Sequence, residues 1–368
     1  MRRPWFLPFL ALAGCVPPQT GSAPPATVAN TPANALAISA LPGWNSDDTA
    51  AALAAFVQGC KALSLMPPDQ KLGGTGTAAQ TAGQAGLWQN TCNGAEDVAP
   101  GDEAGAKSFF QSYFVAYQIT GRALVTGYFE PEYPGSKNLA PGYKVPLYAK
   151  PADPDLANLP RAAIDDNALY RKAPVTAYLA DPVDAFMLQI QGSGRILLPD
   201  GHTLRVGFDG QNGQPYTPIG RILVANGDLT ANNVSFQSIS AWLKDNPDQA
   251  QAIMEQNARY VYLKPLGGLP DDEGAPGALG VPLTAGRSLA VDTSVIPLGV
   301  PVFVSTTNPL TRAAMNQLAI AQDTGGDIHG AAAADLFFGA GPEAEAIAGS
   351  MQQPGTLYIL LPRPAPTS

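Results

Sequence analysis

Three aspartates near the C-terminus have the surroundings in this sequence that best suit acid–base chemistry. Asp292 follows Leu-Ala-Val, Asp323 precedes Thr-Gly-Gly, and Asp335 stands between a run of alanines and Leu-Phe-Phe-Gly. Burial among apolar side chains disfavours an ionised carboxylate, so such a group has a raised pKa or is hydrogen-bonded by a neighbour. We therefore predict Asp335 as the general acid and Asp323 as its partner. Asp292 is interpreted either as a substrate contact or as a structural residue of the following turn.

Other chemistries are less well supported by the sequence. Asp292 and Asp323 match the local motifs of an aspartic protease dyad, but they lie only about 30 residues apart, too close to come from separate lobes. The two histidines, His202 and His329, have no ligand spacing to another His or Cys, which argues against a zinc site and a Ser-His-Asp triad. A cation site formed by the three aspartates remains an alternative. We predict no metal and no cofactor.

Two polar segments lie among strand-like runs. The first contains Gln189, Gln191 and Ser193, and the second contains Asp209, Gln211 and Asn212. Amide, carboxylate and hydroxyl groups on glycine-rich loops suit the hydrogen bonding that sugars need. The alternative interpretation is turn chemistry with a buried polar network.

The composition favours a globular protein for which a neutral polymer is an easier partner than an anionic one. The chain has 368 residues, of which 45% are hydrophobic and 14% charged, and its formal net charge is −9. A negative balance of this size works against non-specific binding to nucleic acid. We predict no nucleic-acid partner and a monomer.

The N-terminus resembles a bacterial lipoprotein signal. Arg2 and Arg3 precede a short apolar run that ends in Leu-Ala-Gly-Cys15. We predict a signal peptide over residues 1–14, acylation of Cys15 and a disordered tether over residues 15–42, rich in Pro, Ala and Thr. Val16, rather than Asp, follows the cysteine, which favours an outer-membrane anchor that faces the periplasm. A soluble periplasmic protein is the alternative.

Cys60 and Cys92 remain once Cys15 is set aside. An even pair in an exported chain favours a disulfide between them, and two buried thiols are the alternative.

The pattern of the chain changes twice. Helical signals occupy residues 43–121, where Phe109, Phe110 and Phe114 recur at helical spacing and are predicted to be core. Short strand-like runs follow, including 123–129, 144–148, 185–190 and 194–198, with a helical interruption at 236–256. The last third alternates strands with one late helix.

Together these segments resemble the membrane-bound lytic transglycosylase A family, murein-degrading lipoproteins whose C-terminal region is named for three aspartates. Seven ordered motifs carry the resemblance: Gly127-Tyr-Phe-Glu-Pro131, Phe186-Met-Leu-Gln-Ile-Gln-Gly-Ser-Gly-Arg195, Gly207-Phe-Asp-Gly-Gln-Asn-Gly213, Asn257-Ala-Arg-Tyr-Val261, Pro282-Leu-Thr-Ala-Gly-Arg-Ser288, Gln322-Asp-Thr-Gly-Gly326 and Gly339-Ala-Gly-Pro-Glu-Ala344.

The resemblance implies a mainly β fold with N-terminal helices: a double-psi β-barrel built from residues 43–121 and 263–368, and a second β-barrel-like domain inserted over residues 122–262. A glycan strand of peptidoglycan would lie in the cleft between them. Asp335 matches the family's catalytic acid and Asp323 its neighbour, while Glu130 lies in a motif that lines the family's cleft and is predicted to help catalysis or contact sugar.

The implied activity is cleavage of the β-1,4 bond between N-acetylmuramic acid and N-acetylglucosamine without consumption of water. Partners would be peptidoglycan glycan strands, the membrane through the lipid anchor, and cell-wall synthesis or division proteins. Two other functions stay open: a peptidoglycan hydrolase that uses two carboxylates, and a non-catalytic wall-binding module of the expansin type.

Overall fold

A computed structural model describes residues 35–74, 82–326 and 328–363. The predicted signal peptide, Cys15 and most of the predicted tether lie outside these residues. The helices are α1 Thr49–Leu63, α2 Ala85–Glu96, α3 Glu103–Tyr113, α4 Pro154–Ala157, α5 Arg161–Asp165, α6 Pro182–Gln191, α7 Ile219–Asn226, α8 Phe236–Asp245, α9 Pro247–Met254 and α10 Pro342–Ala348. The strands are β1 Ala35–Leu36, β2 Phe114–Gln118, β3 Ala123–Glu130, β4 Glu132–Ser136, β5 Val145–Tyr148, β6 Val175–Leu179, β7 Gly194–Leu197, β8 Thr203–Gln211, β9 Val261–Leu266, β10 Ser288–Val291, β11 Pro301–Thr307, β12 Ala314–Asp323, β13 Ala333–Ala340 and β14 Gln352–Pro362.

Six strands close into a barrel in the order β3-β14-β11-β12-β10-β13, with β13 pairing back onto β3. The pairs β10–β12 and β13–β3 are parallel, and the other four are antiparallel. The central strands are near-continuous runs of Val, Ile, Leu and Ala because both of their faces are covered. The predicted fold class, mainly β with a double-psi barrel and a second β domain, is confirmed.

The N-terminal helices cover one side of this barrel. Phe56 of α1 packs against Phe109, Phe110 and Phe114, which are buried as predicted. The predicted tether is too long at its C-terminal end, because β1 pairs with β2 and Ile38 and Leu41 are buried in the same core. Apolar side chains in an otherwise polar, Pro-rich stretch mark the point where the folded domain begins.

The second domain has a six-stranded sheet in the order β5-β6-β4-β7-β8-β9, with helices packed around it. The predicted bounds of this domain, 122–262, stay a prediction, and strand pairing gives limits that lie a few residues later. Strand β3, which ends at Glu130, pairs with β13 and β14 and so belongs to the barrel, whereas β9 continues to Leu266 within the second sheet. By strand pairing, the inserted domain therefore runs from about residue 131 to 266.

The predicted strand at 185–190 is wrong: this segment is part of helix α6. Asp181 caps the helix by accepting a hydrogen bond from the Val183 N–H, Pro182 occupies the first turn, and Gly192 ends the helix in the left-handed conformation. These are standard helix boundary signals. The continuous apolar run concealed them, because a helix buried on nearly all sides shows no 3.6-residue period.

The structure joins Cys60 of α1 to Cys92 of α2 in a disulfide.

Among the described residues, no helix is long and apolar enough to cross a membrane.

Candidate active site

A cleft of about 810 Å³ lies between the two domains. Its barrel side is formed by β3, β13 and the segments around residues 275–278 and 323–328. Its insert side is formed by the end of α6, by β8 and by the chain that leads into β9. A cleft of this size between two domains is a common place for a ligand site.

Asp323 and Asp335 lie in one row of side chains on the barrel. Both are paired in register with Ala290 of β10, Asp323 from β12 on one side and Asp335 from β13 on the other. Asp335 is in turn paired with Thr126 of β3. Because directly paired residues project from the same face of a sheet, the two carboxyl groups and the Thr126 hydroxyl share one wall of the cleft.

The carboxyl group of Asp335 is desolvated and incompletely paired. Its Oδ1 is buried and has no hydrogen-bond partner among the described residues. Burial raises the pKa of Asp335 to about 7; a hydrogen bond with Thr126 opposes the rise, and the charge of Asp323 adds to it. A carboxylic acid with a pKa of about 7 keeps a substantial protonated fraction at neutral pH and can act as a proton donor there.

Asp323 is buried but well provided with donors. The hydroxyl of Tyr128 donates to its Oδ2 over 3.0 Å, and the backbone N–H of Ala278 donates to its Oδ1 over 2.9 Å. Burial raises the pKa of Asp323, while these bonds and one from the Thr324 backbone act in the opposite direction. Asp323 and Asp335 therefore differ in environment although they share a wall.

Comparison with known proteins places the chain in a family. A sequence model of the MltA specific insert domain matches residues 124–264, and a model of the 3D domain matches residues 287–361. The membrane-bound lytic murein transglycosylase A of Escherichia coli (strain K12) is 31% identical over 252 residues, which are 66% of this chain and 67% of that protein. The chain belongs to the membrane-bound lytic murein transglycosylase A family.

Solved structures agree with this assignment to the transglycosylase A family. A membrane-bound lytic murein transglycosylase from Agrobacterium tumefaciens superposes with a TM-score of 0.79 at 28% identity, covering 90% of this chain and 97% of that one. A lytic transglycosylase from Burkholderia pseudomallei gives a TM-score of 0.61 at 37% identity, covering 93% and 99%.

Four of the predicted substrate-binding residues of this transglycosylase A family member line the cleft: Gln189, Gln191, Ser193 and Gln211. The Gln189 side chain accepts a hydrogen bond from Arg161, and Gln191 accepts one from the Phe129 N–H. Since these bonds use the amide oxygens, the amide N–H groups are the donors that remain for a ligand.

Glu130 is not placed to contact a ligand in the cleft. It is only 1% exposed, does not line the cleft, and is paired with Arg195 and Arg205, with a further bond from the Ala275 N–H. Arg205 also donates to the carbonyl groups of Pro270 and Glu273. The prediction that Glu130 contacts sugar is corrected: it ties together the two chain segments that cross between the domains.

Three other predicted substrate contacts also lie outside the cleft lining. Asn212 is fully buried, and its amide donates to the Leu159 and Ala258 carbonyl groups. Asp209 pairs with Lys264. Asp292 accepts bonds from Ser294 and the Gly330 N–H, which outweigh the effect of burial and lower its pKa. The bonds of Asn212 and Asp292 agree with the structural alternatives stated above, and the substrate contacts predicted for Asp209, Asn212 and Asp292 stay predictions.

Sequence reasoning missed several side chains that line the cleft: Tyr128, Arg161, Phe208, Tyr216, Arg221, Arg259 and Lys264. Tyr128, Phe208 and Arg259 occur inside motifs that carry the family resemblance, so the signal was present. The candidate residues were predicted from carboxylate, amide and hydroxyl groups, and the aromatic and cationic side chains of the same motifs do not fit that pattern. Among the described residues, no group of three or more His, Cys, Asp or Glu side chains could hold a metal ion.

Proposed function

We propose that this protein is a peptidoglycan lytic transglycosylase that cleaves the β-1,4 bond between N-acetylmuramic acid and N-acetylglucosamine and forms 1,6-anhydro-N-acetylmuramic acid. The observation that carries the proposal is Asp335, a cleft carboxyl group with an unpaired buried oxygen and a pKa raised to about 7. Membership of the transglycosylase A family supports the same reaction.

One carboxyl group would serve both chemical steps. Protonated Asp335 gives its proton to the glycosidic oxygen as the bond from C1 of the muramic acid to that oxygen breaks. The Asp335 carboxylate then accepts the proton of the C6 hydroxyl as O6 forms a bond to C1. The acid is thereby regenerated and no water is consumed, unlike the two-carboxylate scheme of most glycosidases.

Asp323 would stabilise the positive charge that develops at C1. A carboxylate held by preorganised donors interacts strongly with a developing charge in a site from which water is excluded. The hydrogen bonds from Tyr128 and Ala278 favour the anionic form of Asp323 and fix its position. This role requires no proton transfer to or from Asp323.

The glycan strand would run along the cleft across Gln189, Gln191, Ser193 and Gln211. Phe208 is 55% exposed although it lines the cleft, and an exposed aromatic ring suits stacking on the apolar face of a sugar. The strand would thus meet polar donors from α6 and an aromatic surface from β8.

The anchor is a separate part of the proposal. We infer that acylated Cys15 attaches the protein to the outer membrane with its domains in the periplasm; the Leu-Ala-Gly-Cys sequence supports this, as do relatives named membrane-bound. The mass of the N-terminal peptide from cells that express the wild type or Cys15→Ala would test it. An unmodified, membrane-free wild-type protein would contradict the anchor.

The reaction is tested by mass analysis of muropeptides released from purified murein by the wild type and by Asp335→Asn. Anhydro-muramyl products, lighter than hydrolysis products by one water, should appear with the wild type and vanish with the variant. Reducing-end products would instead indicate a hydrolase. Binding to murein without release of fragments would indicate a wall-binding module.

A further inference from the structure

The insert side of the cleft is cationic in a protein that is acidic overall. Of the residues that the structure describes, four basic side chains line the cleft, Arg161, Arg221, Arg259 and Lys264, against the two carboxyl groups of Asp323 and Asp335. The whole chain has a net charge of −9. A local surplus of positive charge in a cleft attracts anionic groups of a ligand.

Three of these four cations are already engaged. Arg161 is 2% exposed and donates to Gln189 and to the carbonyl groups of Asn257 and Arg259. The Lys264 Nζ lies 3.4 Å from the Asp209 Oδ1. Arg221 also interacts with another group of the protein. These three side chains already have partners within the protein, and an engaged donor is less available to a ligand.

Arg259 differs from them in its partners. Its Nε donates to the Gln214 carbonyl over 3.1 Å, and its guanidinium lies 5.9 Å from the centre of the Tyr216 ring. Among the residues that the structure describes, no carboxylate is within ion-pair distance of it. Within the described part of the chain, the Nε bond is the one hydrogen bond that the Arg259 side chain donates, so its terminal nitrogens have no described acceptor there.

Arg259 also reaches across the cleft. A Cβ atom added at Gly326 would overlap Arg259 Nη1, so the guanidinium lies directly against the backbone of the loop that follows Asp323. Arg259 comes from the inserted domain, and Gly326 belongs to the barrel side. The cation is thus held beside the wall that carries the two aspartates.

We propose that Arg259 binds a carboxylate of the glycan ligand and makes the cleft select anionic murein strands over neutral glycans; this inference rests on the proposed function. A guanidinium presents paired N–H donors that match a carboxylate. Peptide-free murein carries a free lactyl carboxylate on each muramic acid, and intact murein carries carboxylates on its stem peptides. An oligomer of N-acetylglucosamine alone has neither.

The experiment measures binding of three tetrasaccharides at equal length, in an Asp335→Asn background that prevents turnover: chitotetraose, a peptide-free murein tetrasaccharide, and the same murein tetrasaccharide with stem peptides. Arg259→Gln should weaken binding of a carboxylate-bearing ligand by about tenfold or more and chitotetraose by less than about twofold. The murein ligand that loses affinity identifies the lactyl group or the stem peptide as the source of the carboxylate.

Lys264→Gln is the matched control, because it removes the same charge from the same cleft but from a side chain paired with Asp209. It should change the affinity for all three ligands by less than about twofold. Arg259→Lys should recover only part of the loss, since it keeps the charge but not the paired donors.

Equal weakening of chitotetraose and both murein ligands by Arg259→Gln, or no weakening of any, would overturn the inference. An equal loss in Lys264→Gln would also overturn it, because general electrostatics would then explain the effect. The test measures binding and does not depend on turnover. A selective loss of affinity for the anionic ligands would support the role of Arg259 even if the wild type released no anhydro products. That second result would contradict only the proposed reaction.

Discussion

Tyr128 and Asp323 are joined by a hydrogen bond in which the tyrosine hydroxyl donates to the carboxylate Oδ2 over 3.0 Å. Burial, and then the charges of Asp323 and Asp335, raise the pKa of Tyr128 well above its ordinary value, so its hydroxyl keeps its proton throughout the physiological range. Tyr128 is therefore a fixed donor, and it favours Asp323 as an anion. Burial raises the pKa of both cleft aspartates, but Asp323 has donors that oppose the rise, whereas Asp335 Oδ1 has no partner among the described residues.

Replacing Tyr128 by Phe should lower kcat by about tenfold and leave KM within about twofold. The variant loses a hydrogen bond to a charged group, and this reduces the stabilisation that Asp323 gives to the transition state. Steady-state release of muropeptides measures both constants. Tyr262→Phe is the control: this tyrosine donates to the Ala157 carbonyl inside the insert, away from the cleft lining. An unchanged kcat in Tyr128→Phe would contradict the role given to Asp323.

Asp335 should destabilise the folded protein at high pH. Its pKa of about 7 in the fold exceeds the ordinary value of 3.8, so between these pH values the folded state binds more protons and stability falls as pH rises. Asp335→Asn cannot ionise and should be more stable than the wild type above pH 7, by at most roughly 4 kcal/mol, with the difference vanishing near pH 4. Thermal unfolding across this pH range measures the difference in stability. An Asp335→Asn protein less stable than the wild type at pH 8 would contradict the desolvation of the Asp335 carboxyl group.

The pH profile of the reaction should follow the protonated form of Asp335. We expect kcat/KM to fall as pH rises through about 7, since the first step needs the acid. Asp323→Asn removes a neighbouring negative charge that raises the pKa of Asp335, so the descending limb of its residual activity should move to lower pH. A descending limb that moves to higher pH or does not move would show that the ionisation of Asp335 does not determine it.

Local patterns in the sequence predicted strands in the last third and two candidate aspartates, but they predicted no strand over Ala333–Ala340, which is β13 and carries Asp335. Asp323 and Asp335 each end or interrupt an apolar strand, and that context is visible in the sequence. Their pairing with the same residue, Ala290, depends on β10 lying between β12 and β13, which a sequence pattern does not encode.

For Glu130, the sequence alone does not distinguish a substrate contact from a structural ion pair. A glutamate in a cleft-lining motif and a glutamate buried under two arginines look the same in sequence, because Arg195 and Arg205 are remote along the chain. Only the folded arrangement separates the two interpretations.

Glu130→Ala should destabilise the protein by about 3 kcal/mol, because it leaves the buried Arg205 without its counter-charge and removes the nearer of the two carboxylates beside the partly exposed Arg195. Glu132→Ala is the matched control: Glu132 is 33% exposed and lies 4.0 Å from Arg195, so its loss should cost under about 0.5 kcal/mol. Denaturant unfolding measures both. A Glu130→Ala protein of unchanged stability but without activity would return Glu130 to the active site.

Glu103 should stabilise the start of α1 in a pH-dependent way. Its carboxylate accepts hydrogen bonds from the N–H groups of Thr49 and Ala50 and from the Thr49 hydroxyl, and these bonds outweigh the effect of burial and lower its pKa to about 2. Glu103→Gln should therefore cost about 1 kcal/mol at pH 7.

The stabilisation by Glu103 is fully present above the ordinary pKa of 4.5 and is lost as pH falls towards 2, because only the ionised carboxylate is favoured by these donors. The difference in unfolding free energy between the wild type and Glu103→Gln should thus shrink between pH 5 and pH 2. Glu96→Gln, at an exposed position at the end of α2, is the control and should change the unfolding free energy at pH 7 by less than about 0.5 kcal/mol. A constant gap for Glu103→Gln would mean that its packing, rather than its charge, supports the helix.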